Sequence, residues 1–105
     1  MPTAINQRFL EQHPGSANLS REALKLFPSG ITHDIRAFKP FPIYIDHATG
    51  SRKWDVDGNE IIDYVMGHGA LLFGHANPIL VKAITKQISL GTHYGGSSDA
   101  EVISY

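Results

Sequence analysis

Residues 54–64 read WDVDGNEIIDY, two extended runs separated by a tight reversal. The reversal falls at Asp57-Gly58-Asn59, because glycine and asparagine tolerate the positive φ that such turns require. Bulky apolar and aromatic residues follow it, which favours a strand over Ile61 to Tyr64. The residues before it, Arg52 to Asp55, are predicted to form the strand that pairs with this one.

A third strand is predicted further upstream, where Ile43, Tyr44 and Ile45 form a β-branched and aromatic run. Ala48-Thr49-Gly50 supplies the turn between this run and the next strand. Residues 40–66 are therefore predicted to form a small antiparallel β-meander.

Two helices are predicted before the meander. Residues Thr3 to His13 suit a short one, ended by Pro14, whose ring and missing N–H disfavour helix continuation. In the second helix, Ser16 or Asn18 is the expected N-cap, and Pro28-Ser29-Gly30 closes it.

The part after the meander begins with GHGALLFGH, residues 67–75, a glycine-punctuated but apolar stretch typical of a loop whose backbone passes close to another group. A helix is predicted next, because Asn77 can cap it, Pro78 fits its first position and Gly91 can close it. Ser98 to Glu101 matches a capping box for one more helix. Too few residues follow to support that helix alone, so the chain is expected to be the opening segment of a larger protein.

Composition argues against several functional classes. The chain has nine Lys and Arg against ten Asp and Glu, a net charge of −1, and its basic residues are dispersed. A nucleic-acid or anionic-membrane surface needs clustered Lys and Arg, so neither partner is expected. The absence of cysteine excludes disulfides and thiol chemistry. Because the sequence shows neither a secretory signal nor a membrane span, a cytoplasmic location is expected.

Four stretches of the chain follow one another as they do in one enzyme family. Residues 27–38 end in Arg-Ala-Phe, residues 54–64 form the hairpin, residues 69–78 carry a glycine-rich loop into a helix, and residues 91–95 form the next loop. Together they resemble the class III pyridoxal-phosphate (PLP) aminotransferases, especially their glutamate-1-semialdehyde aminomutase-like branch. No one stretch is specific, but their order and spacing carry the resemblance over nearly the whole chain.

The resemblance implies an α+β fold, with N-terminal helices, the antiparallel meander and then a helix, as the N-terminal segment of a fold-type I PLP-dependent transferase. It divides this incomplete segment, residues 1–105, into a helix and substrate-entrance loop at 16–39, the meander at 40–66, and a third part at 67–105. That third part holds the glycine-rich loop, a helix and the start of a further helix. A homodimer acting on a small-molecule amino acid is also implied.

Three residues are substrate-binding candidates by this resemblance: Arg36, His33 and His68. An arginine in the entrance loop of such enzymes binds a substrate carboxylate, and a guanidinium offers the bidentate fork that carboxylate recognition uses. From the residues alone, a solvated position or an ion pair with Asp34 is the commoner role for such an arginine. His33 and His68 would contribute shape and hydrogen bonds to the pocket.

No catalytic residue is expected in this segment. By resemblance, proton transfer belongs to the Schiff-base lysine of the family's large domain, and every lysine of this chain precedes that domain. The groups that hold PLP are expected there too, so no cofactor or metal contact is assigned here. The isolated segment is therefore expected to be inactive.

Other interpretations stay open. A transaminase acting on aromatic or β-amino acids competes with an aminomutase, because His68 stands where the aminomutase has tryptophan. A different class would be a small stand-alone interaction module, or a metal-binding module with His68, His75 and His93 as ligands. The spacing of these histidines is poor for a metal site, since no two of them lie four residues apart on a helix.

Overall fold

The computed structural model describes residues 3–103. The chain forms two compact units, the first ending at His75 and the second beginning at Ala76. The first unit contains the elements α1 (Ala4–Gln12), α2 (Pro14–Leu26), β1 (Ile45–Thr49), β2 (Arg52–Asp55) and β3 (Glu60–Ile62). The second contains α3 (Pro78–Leu90) and α4 (Asp99–Ile103). Two short 3-10 turns, Pro28–Gly30 and Asp34–Arg36, lie between α2 and β1.

The three strands form one antiparallel sheet in the order β1-β2-β3, which confirms the predicted meander. Thr49 pairs with Arg52 across the first hairpin, so Gly50 and Ser51 form a two-residue turn. Gly50 has a φ of 57°, a conformation that glycine adopts without a steric penalty. The second hairpin pairs Trp54 with Glu60 around the expected Asp-Gly-Asn reversal.

The predicted limits of two strands are wrong. The first strand was expected at Ile43 to Ile45, but β1 begins at Ile45 and continues to Thr49, so it includes two of the three residues assigned to a turn. The N–H of Tyr44 donates to Ser16 Oγ at 3.1 Å, so it does not serve strand pairing. The third strand ends at Ile62 and not at Tyr64, because the Asp63 carboxylate accepts the next amides and starts a turn.

The start of α2 is also different from the prediction. The helix begins at Pro14, so Ser16 lies within its first turn and is not its N-cap. A distant carboxylate serves the exposed amides: Asp57 Oδ1 accepts the N–H of Gly15 at 2.6 Å, and Asp57 Oδ2 accepts that of Ser16 at 3.1 Å. A Cβ at Gly15 would lie 2.7 Å from Asp57 Oδ1, so a larger residue there would displace the Asp57 carboxylate from its present position. The caps expected at Ser16 or Asn18 are therefore replaced by the turn of the second hairpin.

A buried histidine makes a second link between the helices and that turn. His13 Nδ1 donates to Asp55 Oδ2 at 2.8 Å, and both residues are buried. Asp55 Oδ1 accepts the N–H groups of Asp57 at 3.0 Å and Asn59 at 2.7 Å. Burial raises the pKa of Asp55, but the hydrogen bonds from Asn59, His13 and Asp57 outweigh it, so the pKa lies below its ordinary value.

The helices of the second unit begin as the sequence predicts. Asn77 Oδ1 accepts the N–H of Ile79 at 3.0 Å and that of Leu80 at 3.3 Å, and Gly91 closes α3 with a φ of 108°. At α4, Glu101 Oε1 accepts the N–H of Ser98 at 3.1 Å, which is the carboxylate half of the predicted capping box.

No apolar side chain is buried within the part of the chain that the structure describes. On α3, the exposed fractions are 76% for Ile79, 55% for Ile84 and 62% for Ile88. Burial of apolar surface is the main favourable contribution to folding, and much of the apolar surface of the described residues remains exposed. None of the described helices combines the length and apolar character needed to cross a membrane.

We expect residues 1–105, expressed alone, to self-associate and to unfold without a sharp transition. The exposed apolar surface favours association, and without a core the unfolding is not cooperative. Light scattering after size exclusion, together with a thermal melt followed by circular dichroism, checks both points. A monomer with a steep thermal transition would contradict this expectation.

Candidate functional site

The first unit contains an open cavity of about 900 Å³. Its volume is within the range of small-molecule sites, roughly 300–1,000 Å³. Most of its wall is apolar, formed by side chains such as Phe9, Phe27, Phe38, Phe41, Ile43 and Ile61. The helices, the entrance loop and the meander each supply part of this wall, so the cavity depends on the polar links that hold them together.

The charged residues on the cavity wall are all cationic. Arg36, Lys39 and Lys53 line it, and no Asp or Glu is among the described residues that do. Lys53 already has an ion-pair partner that does not line the cavity, because its Nζ donates to Asp63 Oδ1 at 3.2 Å. The wall therefore suits a ligand that has an apolar body and an anionic group.

The guanidinium of Arg36 has no carboxylate partner among residues 3–103. Its Nη1 donates to Thr32 Oγ1 at 2.8 Å, one helical turn earlier in the same loop. The alternative ion pair with Asp34 does not form; Asp34 Oδ1 accepts the N–H of Ile35 and lies next to His33 Nδ1, each at 2.8 Å. Arg36 thus keeps most of its donors for another acceptor.

Two of the three candidate residues, Arg36 and His68, line the same cavity. His33 is not among its lining residues; its Nδ1 lies 2.8 Å from Asp34 Oδ1, beside the turn that carries Arg36. Two further cationic residues of the wall, Lys39 and Lys53, were not singled out from the sequence. Their positions in the sequence do not indicate this placement, because only the folding of the loop onto the meander brings the two lysines to the cavity.

His68 reaches the cavity from an unusual loop. Met66, Gly67, His68 and Gly69 all have positive φ, at 46°, 61°, 59° and 84°. Left-handed backbone is unfavourable for residues with a Cβ, so Met66 and His68 need support from their surroundings. Gly67 lines the cavity together with His68.

Backbone hydrogen bonds within the loop, such as that from the N–H of Leu71 to the carbonyl of Met66 at 3.1 Å, give part of that support. A further part comes from Asp63, a residue that the sequence analysis did not select. Its Oδ1 accepts the N–H groups of Val65 at 3.0 Å and Met66 at 3.2 Å, and its Oδ2 accepts from His75 Nε2 at 2.7 Å. The bond from His75 lowers the pKa of Asp63 far below its usual range; burial opposes this, and the two amides assist it. A short carboxylate between a strand and a loop is a typical turn signal and could have identified it.

A comparison with known families identifies the chain. The family model described as Aminotransferase class-III matches residues 35–101, more than half of the sequence. The chain belongs to the class-III aminotransferases. This confirms the resemblance found in the four sequence stretches.

Relatives of this class-III aminotransferase segment are much longer than the segment. The glutamate-1-semialdehyde 2,1-aminomutase of Thermoplasma acidophilum is 46% identical over 88 residues, which are 84% of this chain and 21% of that enzyme. A crystal structure of a glutamate-1-semialdehyde-aminomutase from Pseudomonas aeruginosa PAO1 has 28% identity and a TM-score of 0.85, covering 93% of this chain and 22% of that one. A transaminase solved with PLP bound has 35% identity and a TM-score of 0.80, covering 85% and 21%.

The chain therefore spans about a fifth of the length of the relatives it matches. It corresponds to the N-terminal region of the class-III aminotransferases, and its fold is that of this part of fold-type I transaminases.

Over the described residues, the cavity lining of this class-III aminotransferase segment differs from what a PLP site uses. No carboxylate lines the cavity to pair with a pyridine nitrogen. The glycine-rich stretch offers no phosphate cradle either, since the N–H of Gly69 donates to the carbonyl of Val65 at 3.1 Å and that of Gly74 to the carbonyl of Leu71 at 3.0 Å. What these residues offer is an apolar wall with cations.

One group of side chains has the composition of a metal site. The ligating atoms of His13, Asp55 and Asp57 lie within 4.8 Å of one another. Their carboxylate oxygens already accept hydrogen bonds from the backbone and from His13, which accounts for the cluster structurally. Neither His68 nor His75 belongs to it, and His75 Nε2 is occupied by Asp63.

The stabilisation of the loop by the Asp63 carboxylate should be lost at acid pH. Its pKa is lowered by folding from an ordinary value of 3.8, so the stabilisation is complete above that value and is lost as the pH falls through the lower folded pKa. Hydrogen exchange of the loop amides in the intact protein, corrected for intrinsic rates, should be constant near pH 5 and faster below about pH 4.

The matched control is Asp63→Asn, which has no charge to lose. Its loop amides should exchange with the same protection across this pH range. An equal acid response in Asp63→Asn and in the natural protein would refute the role given to Asp63.

Proposed function

We propose that this segment is the substrate-facing N-terminal part of a PLP-dependent transaminase or aminomutase. The substrate would be an amino acid or amino-aldehyde that carries a carboxylate. Support comes from membership of the class-III family and from relatives of 39–48% identity named glutamate-1-semialdehyde 2,1-aminomutase. A similar structure, described as a transaminase with PLP bound, supports PLP as the cofactor of the complete enzyme, meaning the protein of family length that carries this sequence.

The observation that carries the proposal is the state of Arg36. A permanently charged guanidinium stands on a mostly apolar wall, with Thr32 Oγ1 as its hydrogen-bond acceptor. The side chain of Arg36 is exposed in this segment, so its remaining donors are free to make a charge-assisted bond to an anion. A substrate carboxylate would supply that anion and accept two parallel N–H donors.

Each residue of the site would have a limited task. Arg36 would bind the carboxylate and thereby fix the direction of the substrate, while the apolar wall would contact the apolar part of the substrate. His68 would limit the shape of the pocket and offer a hydrogen bond. His33, beside Asp34, would stabilise the loop of Arg36 more than touch the substrate. PLP, when bound, supplies the electron sink for amino-group chemistry, and residues outside this segment would hold it and move the protons.

Three properties of the enzyme follow as parts of this proposal. The isolated segment would be inactive, because the lysine and the PLP-binding groups implied by the family resemblance would lie outside it. The complete enzyme would be a homodimer, as the family resemblance implies. A cytoplasmic location fits a chain without cysteine.

Aminomutase and transaminase activities are distinguished by their products. The names of the relatives favour the aminomutase, whereas His68 in place of tryptophan favours a transaminase for aromatic or β-amino acids. Isomerisation of glutamate-1-semialdehyde needs no second substrate, but transamination consumes a keto acid. Assaying the complete enzyme with and without a keto acid therefore distinguishes the aminomutase activity from the transaminase activity.

Substitution of Arg36 tests the carboxylate contact. In the complete enzyme, Arg36→Ala should raise KM for 4-aminobutyrate about 30-fold, because a lost charge-assisted bond costs about 2 kcal/mol. The amine n-butylamine has no carboxylate, so its KM should stay unchanged. Steady-state kinetics with both amines measures the difference.

Arg52→Ala is the matched control, since Arg52 is a half-exposed arginine of β2 that pairs with Glu60 and does not line the cavity. Its KM for both amines should equal that of the natural enzyme. A rise of less than about threefold for 4-aminobutyrate in Arg36→Ala would refute the assignment of Arg36.

A further inference from the structure

The conformation of the loop that carries His68 needs an explanation beyond its own sequence. Four consecutive residues, from Met66 to Gly69, have left-handed backbone, and two of them are not glycine. Such residues persist in this conformation only where surrounding contacts enforce it, and they are frequent at ligand sites. Two backbone hydrogen bonds close the loop around His68, from the N–H of Gly69 to the carbonyl of Val65 and from that of Leu71 to the carbonyl of Met66, both at 3.1 Å. Among the side chains, Asp63 bonds to the residues on either side of this loop.

Asp63 bonds to both ends of this loop. At the near end, its Oδ1 accepts the N–H groups of Val65 and Met66, the latter being the first left-handed residue. At the far end, its Oδ2 accepts from His75 Nε2 at 2.7 Å. Its side chain is only 4% exposed, so these bonds are sheltered from water.

The far end is in turn fixed to the sheet. The N–H of His75 donates to the carbonyl of Gly50 at 2.8 Å, and the N–H of Gly50 donates to the carbonyl of His75 at 2.9 Å. Lys53, a residue of β2, donates to Asp63 Oδ1 and also lines the cavity. The carboxylate therefore joins the loop to the strand that forms part of the cavity wall.

We infer that Asp63 is a positioning residue, which fixes His68 in the cavity and through it determines how well a carboxylate substrate binds. Asp63 itself is not among the lining residues of the cavity, so it acts only through the loop. This role rests on the proposed function of His68 as a substrate contact. Asp63 would thus influence substrate specificity, and this role is separate from the hydrogen bonds that hold α2 to the second hairpin.

A double-mutant cycle in the complete enzyme tests this dependence. Asp63→Ala and His68→Ala should each lower kcat/KM for 4-aminobutyrate by a similar factor, about tenfold, mainly through KM. The double variant should be no worse than His68→Ala by more than about twofold, because residues that act through one contact are not additive. Asp46→Ala is the control, since this carboxylate of β1 is 66% exposed and contacts only the neighbouring His47 among the interactions described.

Hydrogen exchange supplies a readout that does not depend on activity. In Asp63→Ala, the amides of residues 65–71 should exchange at least about tenfold faster, while His68→Ala and Asp46→Ala should leave them unchanged. Asp63→Asn keeps the shape of the side chain and guards against misfolding of the alanine variant. It should show smaller changes in the same directions, and these should again vanish in the His68→Ala background.

Two results would overturn the inference. One is unchanged exchange in residues 65–71 of both Asp63 variants. The other is a double variant in which the losses of kcat/KM from Asp63→Ala and from His68→Ala multiply. Such a result would mean a general structural role for Asp63. An enzyme that transaminates 4-aminobutyrate with either result would refute only the positioning role. An enzyme without any amino-group activity would refute the proposed function and this inference with it.

Discussion

The contact between Asp57 and the first turn of α2 is the interaction on which the first unit most depends. The carboxylate accepts the N–H groups of Gly15 and Ser16 where the helix dipole is positive, and it comes from the tip of a hairpin more than 40 residues later. Beside it, His13 and Asp55 make a buried pair. Because the described apolar side chains are not buried, these polar links and not a hydrophobic core hold the helix to the sheet.

A segment built in this way leaves its apolar surface available. Part of that surface forms the cavity wall, where Arg36 and His68 meet aromatic and aliphatic side chains. The lack of a packed core in the described part of the chain also explains why a carboxylate, Asp63, helps to fix the loop of His68. The polar links thus determine the geometry of the site, and the exposed apolar residues make its wall apolar.

Local signals in the sequence were sufficient for the strand order, for α3 and for the family. Asp57-Gly58-Asn59 and Asn77-Pro78 act within a few residues, so their neighbours determine the outcome. The start of α2 was predicted wrongly because its cap lies in a distant turn, and β1 because Tyr44 bonds to Ser16. The approach of Arg36 and His68 to one cavity followed from the resemblance, whereas Asp63 and the two lysines depend on contacts made only in three dimensions.

The central claim is that this segment presents a carboxylate-binding arginine to the substrate of a PLP enzyme. A crystal structure of the complete enzyme with 4-aminobutyrate bound tests it most directly. The account predicts that Arg36 leaves Thr32 and donates two hydrogen bonds to the ligand carboxylate, at about 2.7–2.9 Å. A carboxylate held by another residue, with Arg36 still bonded to Thr32, would contradict it.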